Sequence, residues 1–246
     1  MKIGWGISIE PRFLLEKSFE QTVRIYYDLH RPERGPRANG QKYPLLIALH
    51  GYGGNKESMM NIAKRISDRD VVIASLQGPY QFNYPFGTEG FSHRAGEGLK
   101  IGFCWTARWK DDESIALHHQ NLIKLIDTVS GEVPLDRSRI FLMGFSQPVA
   151  LNYRFVFSTP DTVRGVVAVC GGVPGDWETG AYQRSSTDVL HLATDQDQYY
   201  PLDRSRRFEA MLADRAAEVE FRVYKGRHKF PVHAIPHIAR WLKTRM

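Results

Sequence analysis

Short apolar runs alternating with helical patterns constrain this chain more than any other feature. Tyr43-Pro-Leu-Leu-Ile-Ala-Leu49, Val71-Val-Ile-Ala-Ser-Leu76 and Gly165-Val-Val-Ala-Val-Cys170 carry no polar face, as expected of strands covered on both sides. Two further runs, Asp188–Ala193 and Val219–Tyr224, and an extended pattern over Ser18–His30 (Phe19, Thr22, Val23, Ile25, Tyr27, Leu29) complete the strand set. Between them, Lys56–Ser67, Asp112–Ser130, the segment up to about Ser158, Asp203–Ala217 and Val232–Lys243 read as helices. Strands alternating with helices predict an α/β chain with a mainly parallel, doubly wound sheet and helices on both faces. No repeat or lid-sized insertion interrupts the pattern, so residues 1–246 read as a single domain, with 1–17 as a lead-in of unassigned structure.

Two stretches resist this pattern. Arg31–Lys42, with Pro32, Gly35, Pro36, Asn39 and Gly40, reads as a turn-rich loop. Gln77–Lys110 reads as a long loop, but Tyr80, Phe82, Tyr84, Phe86, Phe91, Phe103, Trp105 and Trp109 make it too aromatic for disorder. These rings either shape an apolar acyl or aryl pocket or cover a sheet edge.

The chemistry concentrates in Arg139-Ile-Phe-Leu-Met-Gly-Phe-Ser-Gln-Pro-Val-Ala150. A β-type run ends at Gly144, and Ser146 follows on what must be a sharp turn into a helix. That is the nucleophile-elbow arrangement, normally G-x-S-x-G, with Pro148 in place of the last glycine. A serine hydroxyl needs a base, and the base needs a carboxylate to orient it. On a doubly wound sheet both belong on loops after later strands, in the order serine, acid, histidine. The first such loop offers Thr194-Asp195-Gln-Asp197-Gln-Tyr-Tyr-Pro201, and the second offers Lys225-Gly226-Arg227-His228.

His228 is therefore the expected base. His233 and His237 are spaced for a metal pair, but Pro236 lies between them and no third ligand is evident. An oxyanion requires preorganised N–H donors. Gln147, after the nucleophile, supplies one; the run His50-Gly-Tyr-Gly-Gly-Asn55 after the first apolar strand supplies the other through Tyr52 N–H. His50 reads as an organiser of that loop and not as a base.

Taken together, Lys42-Tyr-Pro-Leu-Leu-Ile-Ala-Leu-His-Gly-Tyr-Gly-Gly-Asn55 and Asp136-Arg-Ser-Arg-Ile-Phe-Leu-Met-Gly-Phe-Ser-Gln147 resemble the phospholipase/carboxylesterase family of α/β-hydrolases, which includes acyl-protein thioesterase-like enzymes and small bacterial carboxylesterases. Its elbow usually reads G-F-S-Q-G-G, so Ser146 and Gln147 match while Pro148 and Val149 depart. Its acid loop resembles H-G-x-x-D-x-x-V-P, which aligns Asp197 and Pro201 and leaves Asp195 two residues early. Gly102-Phe-Cys-Trp105 is similar to the segment lining the family's acyl-binding side, which implies Phe103 and Trp105 as pocket residues. The resemblance implies hydrolysis of carboxylic esters or thioesters of small molecules without metal or organic cofactor, with Ser146, His228 and Asp197 as the triad. A peptidase or amidase on the same fold is the alternative within enzymes. A non-catalytic ligand-binding homologue is the alternative outside them, with Pro148 as its support.

Composition narrows the partners. The formal charge is +6, but bases and acids interleave, as in Asp203-Arg-Ser-Arg206-Arg207, so no nucleic-acid partner is expected. No stretch approaches the ~18 apolar residues of a membrane span, and no signal-like N-terminus is evident. Cys104 and Cys170 show no C-x-x-C spacing, so a cytoplasmic location is expected and pairing is left to the fold. A monomer and a homodimer both remain open.

Overall fold

A computed structural model describes residues 16–32, 40, 42–67, 69–85, 99–107 and 109–246. Seven strands form one sheet in the order β1 (Tyr27–His30), β3 (Val72–Leu76), β2 (Tyr43–Leu49), β6 (Leu135–Phe145), β7 (Gly165–Val169), β8 (Asp188–Thr194) and β9 (Glu218–Tyr224). All neighbours run parallel except β1, which pairs antiparallel with β3 through Tyr27 opposite Leu76. Helices α1 (Lys56–Ile66) and α6 (Ile235–Lys243) cover one face; α2 (Asp111–Glu132), α3 (Pro148–Ser158) and α5 (Arg207–Ala213) cover the other. A short α4 (Leu202–Ser205) precedes α5.

The strand period of two divides the core in two. In β2, Leu45, Ile47 and Leu49 pack toward α2 and α3, while Leu46 and Ala48 pack toward α1 and α6. Every residue of this run is buried, which is why the strand reads as continuously apolar. Each leucine or isoleucine of the run, withdrawn from water, contributes ~1.5–3 kcal/mol. Asn55 starts α1 by accepting a hydrogen bond from Ser58 N–H at 2.9 Å, so the glycine-rich loop ends directly on a capped helix.

Three expectations need correction. The predicted strand over Ser18–His30 is limited to Tyr27–His30; Phe19 is 87% exposed and Val23 62%, so that apolar pattern has no surface to pack on. The predicted loop Gln77–Lys110 contains an antiparallel pair, β4 (Tyr80–Pro85) with β5 (Leu99–Cys104), which forms its own two-stranded sheet. The predicted helix Asp203–Ala217 is broken into α4 and α5 and ends at Ala213. Most of the turn-rich stretch 31–42, residues 1–15 of the lead-in, and Phe86, Phe91 and His93 lie outside the described residues. Cys104 and Cys170 are buried, free thiols.

Candidate active site

Strand β6 ends at Phe145, and α3 begins at Pro148. Between them Ser146 adopts φ 63°, a left-handed conformation that costs a non-glycine residue of order 1–3 kcal/mol. The strain is held by Ser146 N–H, which donates to Val169 O at 2.8 Å, and by Ser146 O, which accepts from Val149 N–H at 3.1 Å. The result lifts the hydroxyl off the carboxyl end of the sheet.

His228 and Asp197 reach it from the turns after β9 and β8. Those turns are tied together: Asp195 N–H donates to Tyr224 O, Gln196 N–H to Gly226 O, and Gly226 N–H to Asp195 Oδ1, each at 2.9 Å. Gly226 has φ 147°, a conformation that only glycine adopts without strain. His228 Nε2 then lies 2.8 Å from Ser146 Oγ, and His228 Nδ1 lies 2.7 Å from Asp197 Oδ2. The second oxygen, Asp197 Oδ1, accepts from Tyr199 N–H and Tyr200 N–H, both at 2.9 Å. Asp197 thus occupies the orienting position behind the imidazole, while Asp195 fastens the two turns that carry the pair. Phe145, Tyr199 and Tyr200 pack their rings around the His228 imidazole, with centroids at 5.2, 4.8 and 5.9 Å.

The loop after β2 faces the elbow. His50 is buried, and desolvation pushes its pKa down. Its Nε2 accepts from Gly78 N–H and faces Gln77 Nε2, each at 2.9 Å, which leaves Nδ1–H to donate to Gly51 O at 2.8 Å. This neutral imidazole shapes the loop and has no free nitrogen for proton transfer. Among the described residues, neither Tyr52 N–H nor Gln147 N–H donates a hydrogen bond.

Of the two expected pocket residues, Phe103 is half-buried on β5, and its backbone pairs with the loop: Gly53 N–H donates to Phe103 O at 2.9 Å, and Phe103 N–H to Gly54 O at 3.2 Å. Trp105 corrects the expectation. It is 1% exposed, donates its indole N–H to His50 O at 2.7 Å, and packs against His50 and His118, so it offers no surface to a substrate. A buried indole must satisfy its N–H, and His50 O is the acceptor within reach. His237 is fully engaged by Tyr224 Oη at 2.7 Å and Glu220 Oε1 at 2.8 Å. No cluster of three potential metal ligands exists among the described residues.

Pro148 occupies the first turn of α3, where a missing N–H leaves no partner unsatisfied. Gln147 before it is nevertheless in the right-handed helical region, at φ −52° and ψ −47°. The close packing at the elbow falls on Val149: a Cβ on Gly171, just past β7, would lie 2.3 Å from Val149 Cβ, so only glycine fits there.

A serine on a strand-to-helix elbow, followed in the chain by a carboxylate and a histidine at strand carboxyl ends, defines an α/β-hydrolase. The chain belongs to the phospholipase/carboxylesterase family, whose model matches residues 37–246. It is 22% identical to a putative hydrolase, MhqD, of Bacillus subtilis over 217 residues, spanning 87% of this chain and 97% of that protein. Its fold is similar to a Bacillus cereus carboxylesterase (TM-score 0.68, 16% identity, 90% of this chain and 95% of that one). It is also similar to a Mesorhizobium loti carboxylesterase (TM-score 0.66, 17% identity, 89% and 94%). No helix among the described residues is long and apolar enough to cross a membrane.

Proposed function

We propose that this enzyme is a serine hydrolase that cleaves carboxylic esters of small molecules through an acyl-enzyme, with Ser146, His228 and Asp197 as the triad. The observation that carries the reading is the unbroken relay from Ser146 Oγ through both ring nitrogens of His228 to Asp197 Oδ2, with steps of 2.8 and 2.7 Å. Asp197 accepts the Nδ1–H and so leaves Nε2 unprotonated toward the hydroxyl. As Ser146 Oγ bonds to the ester carbonyl carbon, its proton passes to Nε2, and the imidazolium formed is balanced by the carboxylate. The C–O bond to the alcohol then breaks, and Nε2–H protonates the departing oxygen. Water, deprotonated by the same nitrogen, releases the acid and restores Ser146.

The tetrahedral oxyanion would lie between Tyr52 N–H and Gln147 N–H, neither of which donates to another acceptor among the described residues. The leaving oxygen must come within hydrogen-bond reach of His228 Nε2, so the alcohol half of the substrate sits beside Tyr199, an exposed residue. The same relay accommodates a thioester, whose thiolate needs less protonation to leave.

The test is hydrolysis of p-nitrophenyl esters of increasing acyl length by the wild type and by Ser146→Ala. The expected result is turnover abolished in the variant and covalent labelling of the wild type by a fluorophosphonate at Ser146. A wild type that neither hydrolyses nor labels would sink the reading. Cleavage of aminoacyl amides at rates comparable to esters would favour the peptidase alternative. Pro148 supplies no argument for a non-catalytic homologue, because the amide the oxyanion needs belongs to Gln147.

A further inference from the structure

The Gln147–Pro148 pair carries an unresolved conflict. A proline ring disfavours the helical region for the residue before it, because its Cδ crowds that residue's N–H and Cβ. Gln147 is nonetheless at φ −52° and ψ −47°, and the N–H so placed is the one the oxyanion requires. The Val149 N–H bond to Ser146 O spans the pair, and the Gln147 side chain adds a second hold.

The Gln147 carboxamide is held at both ends. Its Oε1 accepts from Trp105 N–H at 2.9 Å, and its Nε2 donates to Thr106 Oγ1 at 3.1 Å. The same short segment also holds the opposite donor loop. Phe103 exchanges two backbone hydrogen bonds with Gly53 and Gly54, and the Trp105 indole N–H binds His50 O. Residues 103–106 therefore grip the strand end that carries Tyr52 and the elbow that carries Gln147, and fix the gap between the two N–H donors.

We propose that the Gln147 side chain is a positioning group for the oxyanion site, and that its clamp to Trp105 and Thr106 offsets the steric push of Pro148. Resting on the esterase reading, the idea adds a coupling between two adjacent residues whose sign can be measured. Without the clamp, Pro148 drives Gln147 toward extended conformations and swings its N–H off the oxyanion. With glycine at 148 the push is gone, and the clamp has little left to oppose.

The experiment is a double-mutant cycle, Gln147→Met and Pro148→Gly, singly and together, with kcat and KM measured on p-nitrophenyl acetate. Gln147→Met keeps the side-chain length and removes both hydrogen bonds. In the wild-type background it should lower kcat on the order of 10²-fold with little rise in KM, as a donor misplaced by about 1 Å does. In the Pro148→Gly background the same change should cost less than about a tenth of that. Equal losses in both backgrounds, or a loss confined to KM, would overturn the proposal. If Gln147→Met does not fold, Thr106→Val, which removes one arm of the clamp, should show a smaller kcat loss that Pro148→Gly again relieves. An inactive, unlabelled wild type would refute the esterase reading itself; an active enzyme with an additive cycle would refute only the clamp.

Discussion

Replacing Asp197 with asparagine isolates one oxygen-for-nitrogen exchange in the relay. Asp197 Oδ1 accepts from Tyr199 and Tyr200 N–H, both at 2.9 Å, in a side chain that is 1% exposed. An asparagine that turned its NH₂ toward those two donors would leave both unpaired, at about 1–3 kcal/mol each. The carbonyl oxygen therefore stays with the loop, and the NH₂ faces His228 Nδ1. A donor in that place forces Nδ1 to accept, moves the ring proton to Nε2, and turns the base into a donor toward Ser146 Oγ. The fold is expected to survive, while kcat for p-nitrophenyl acetate falls about 10⁴-fold, which corresponds to about 5.5 kcal/mol of barrier. Asp195→Asn is the control, since its amide oxygen can still accept from Gly226 N–H; activity should stay within about threefold. A residual rate above about a tenth of wild type in Asp197→Asn, or a larger loss in Asp195→Asn, would refute the assignment of the orienting acid.

Other outcomes follow from packing and burial. Gly171→Ala places a Cβ 2.3 Å from Val149 Cβ and 2.7 Å from Ser146 O. Urea unfolding should show a loss of about 1–3 kcal/mol, with activity reduced, and Val149→Gly in the same chain, which removes the opposing Cβ, should restore part of both. Desolvation holds His118 down to about 3 and His191 to about 4, against 6.5 for a free imidazole. The unfolded chain therefore binds protons that the folded one refuses. Stability should be fully present above pH 6.5 and fall as pH drops toward 4, by up to about 2.7 kcal/mol per pH unit for the two groups together. Urea midpoints that stay level from pH 7 to 4.5 would contradict this.

Strands β2, β3, β7 and β8 could be read from the sequence because each is buried on both faces, and burial leaves a solid apolar run. The same logic failed at Phe19 and Val23, where an apolar pattern exists without a neighbour to pack on. The β4–β5 pair escaped because residues 86–98 separate its strands, so no short turn sequence signals a hairpin between Tyr80–Pro85 and Leu99–Cys104. Ser146, Asp197 and His228 were legible because each follows an apolar run in a fixed chain order. Their supports were not. Asp195 fastening the turn before His228, and Gln147 reaching Trp105, depend on side-chain distances that no spacing encodes. Trp105 was misread for a related reason: the likeness of Gly102–Trp105 to an acyl-lining segment does not say that the indole N–H finds its acceptor inside, at His50 O. Tyr199 and Tyr200 left one usable signal, two and three residues after Asp197, where the family's pattern has a single valine before the proline.

Among the described residues, the β4–β5 pair has no strand neighbour in the seven-stranded sheet, and its backbone bonds outward run to the Gly53–Gly54 loop. Ile101 on it is exposed, whereas Trp105 just beyond it is rooted in the core. Such an appendage opens at lower free energy than the sheet behind it. Heating should therefore silence the enzyme before it melts: amide protons of Phe103 and Gly53 would exchange earlier than those of β2 or β6, and turnover would fade while far-ultraviolet dichroism stayed native. For this molecule, survival of the fold and survival of the activity should have two separate temperatures.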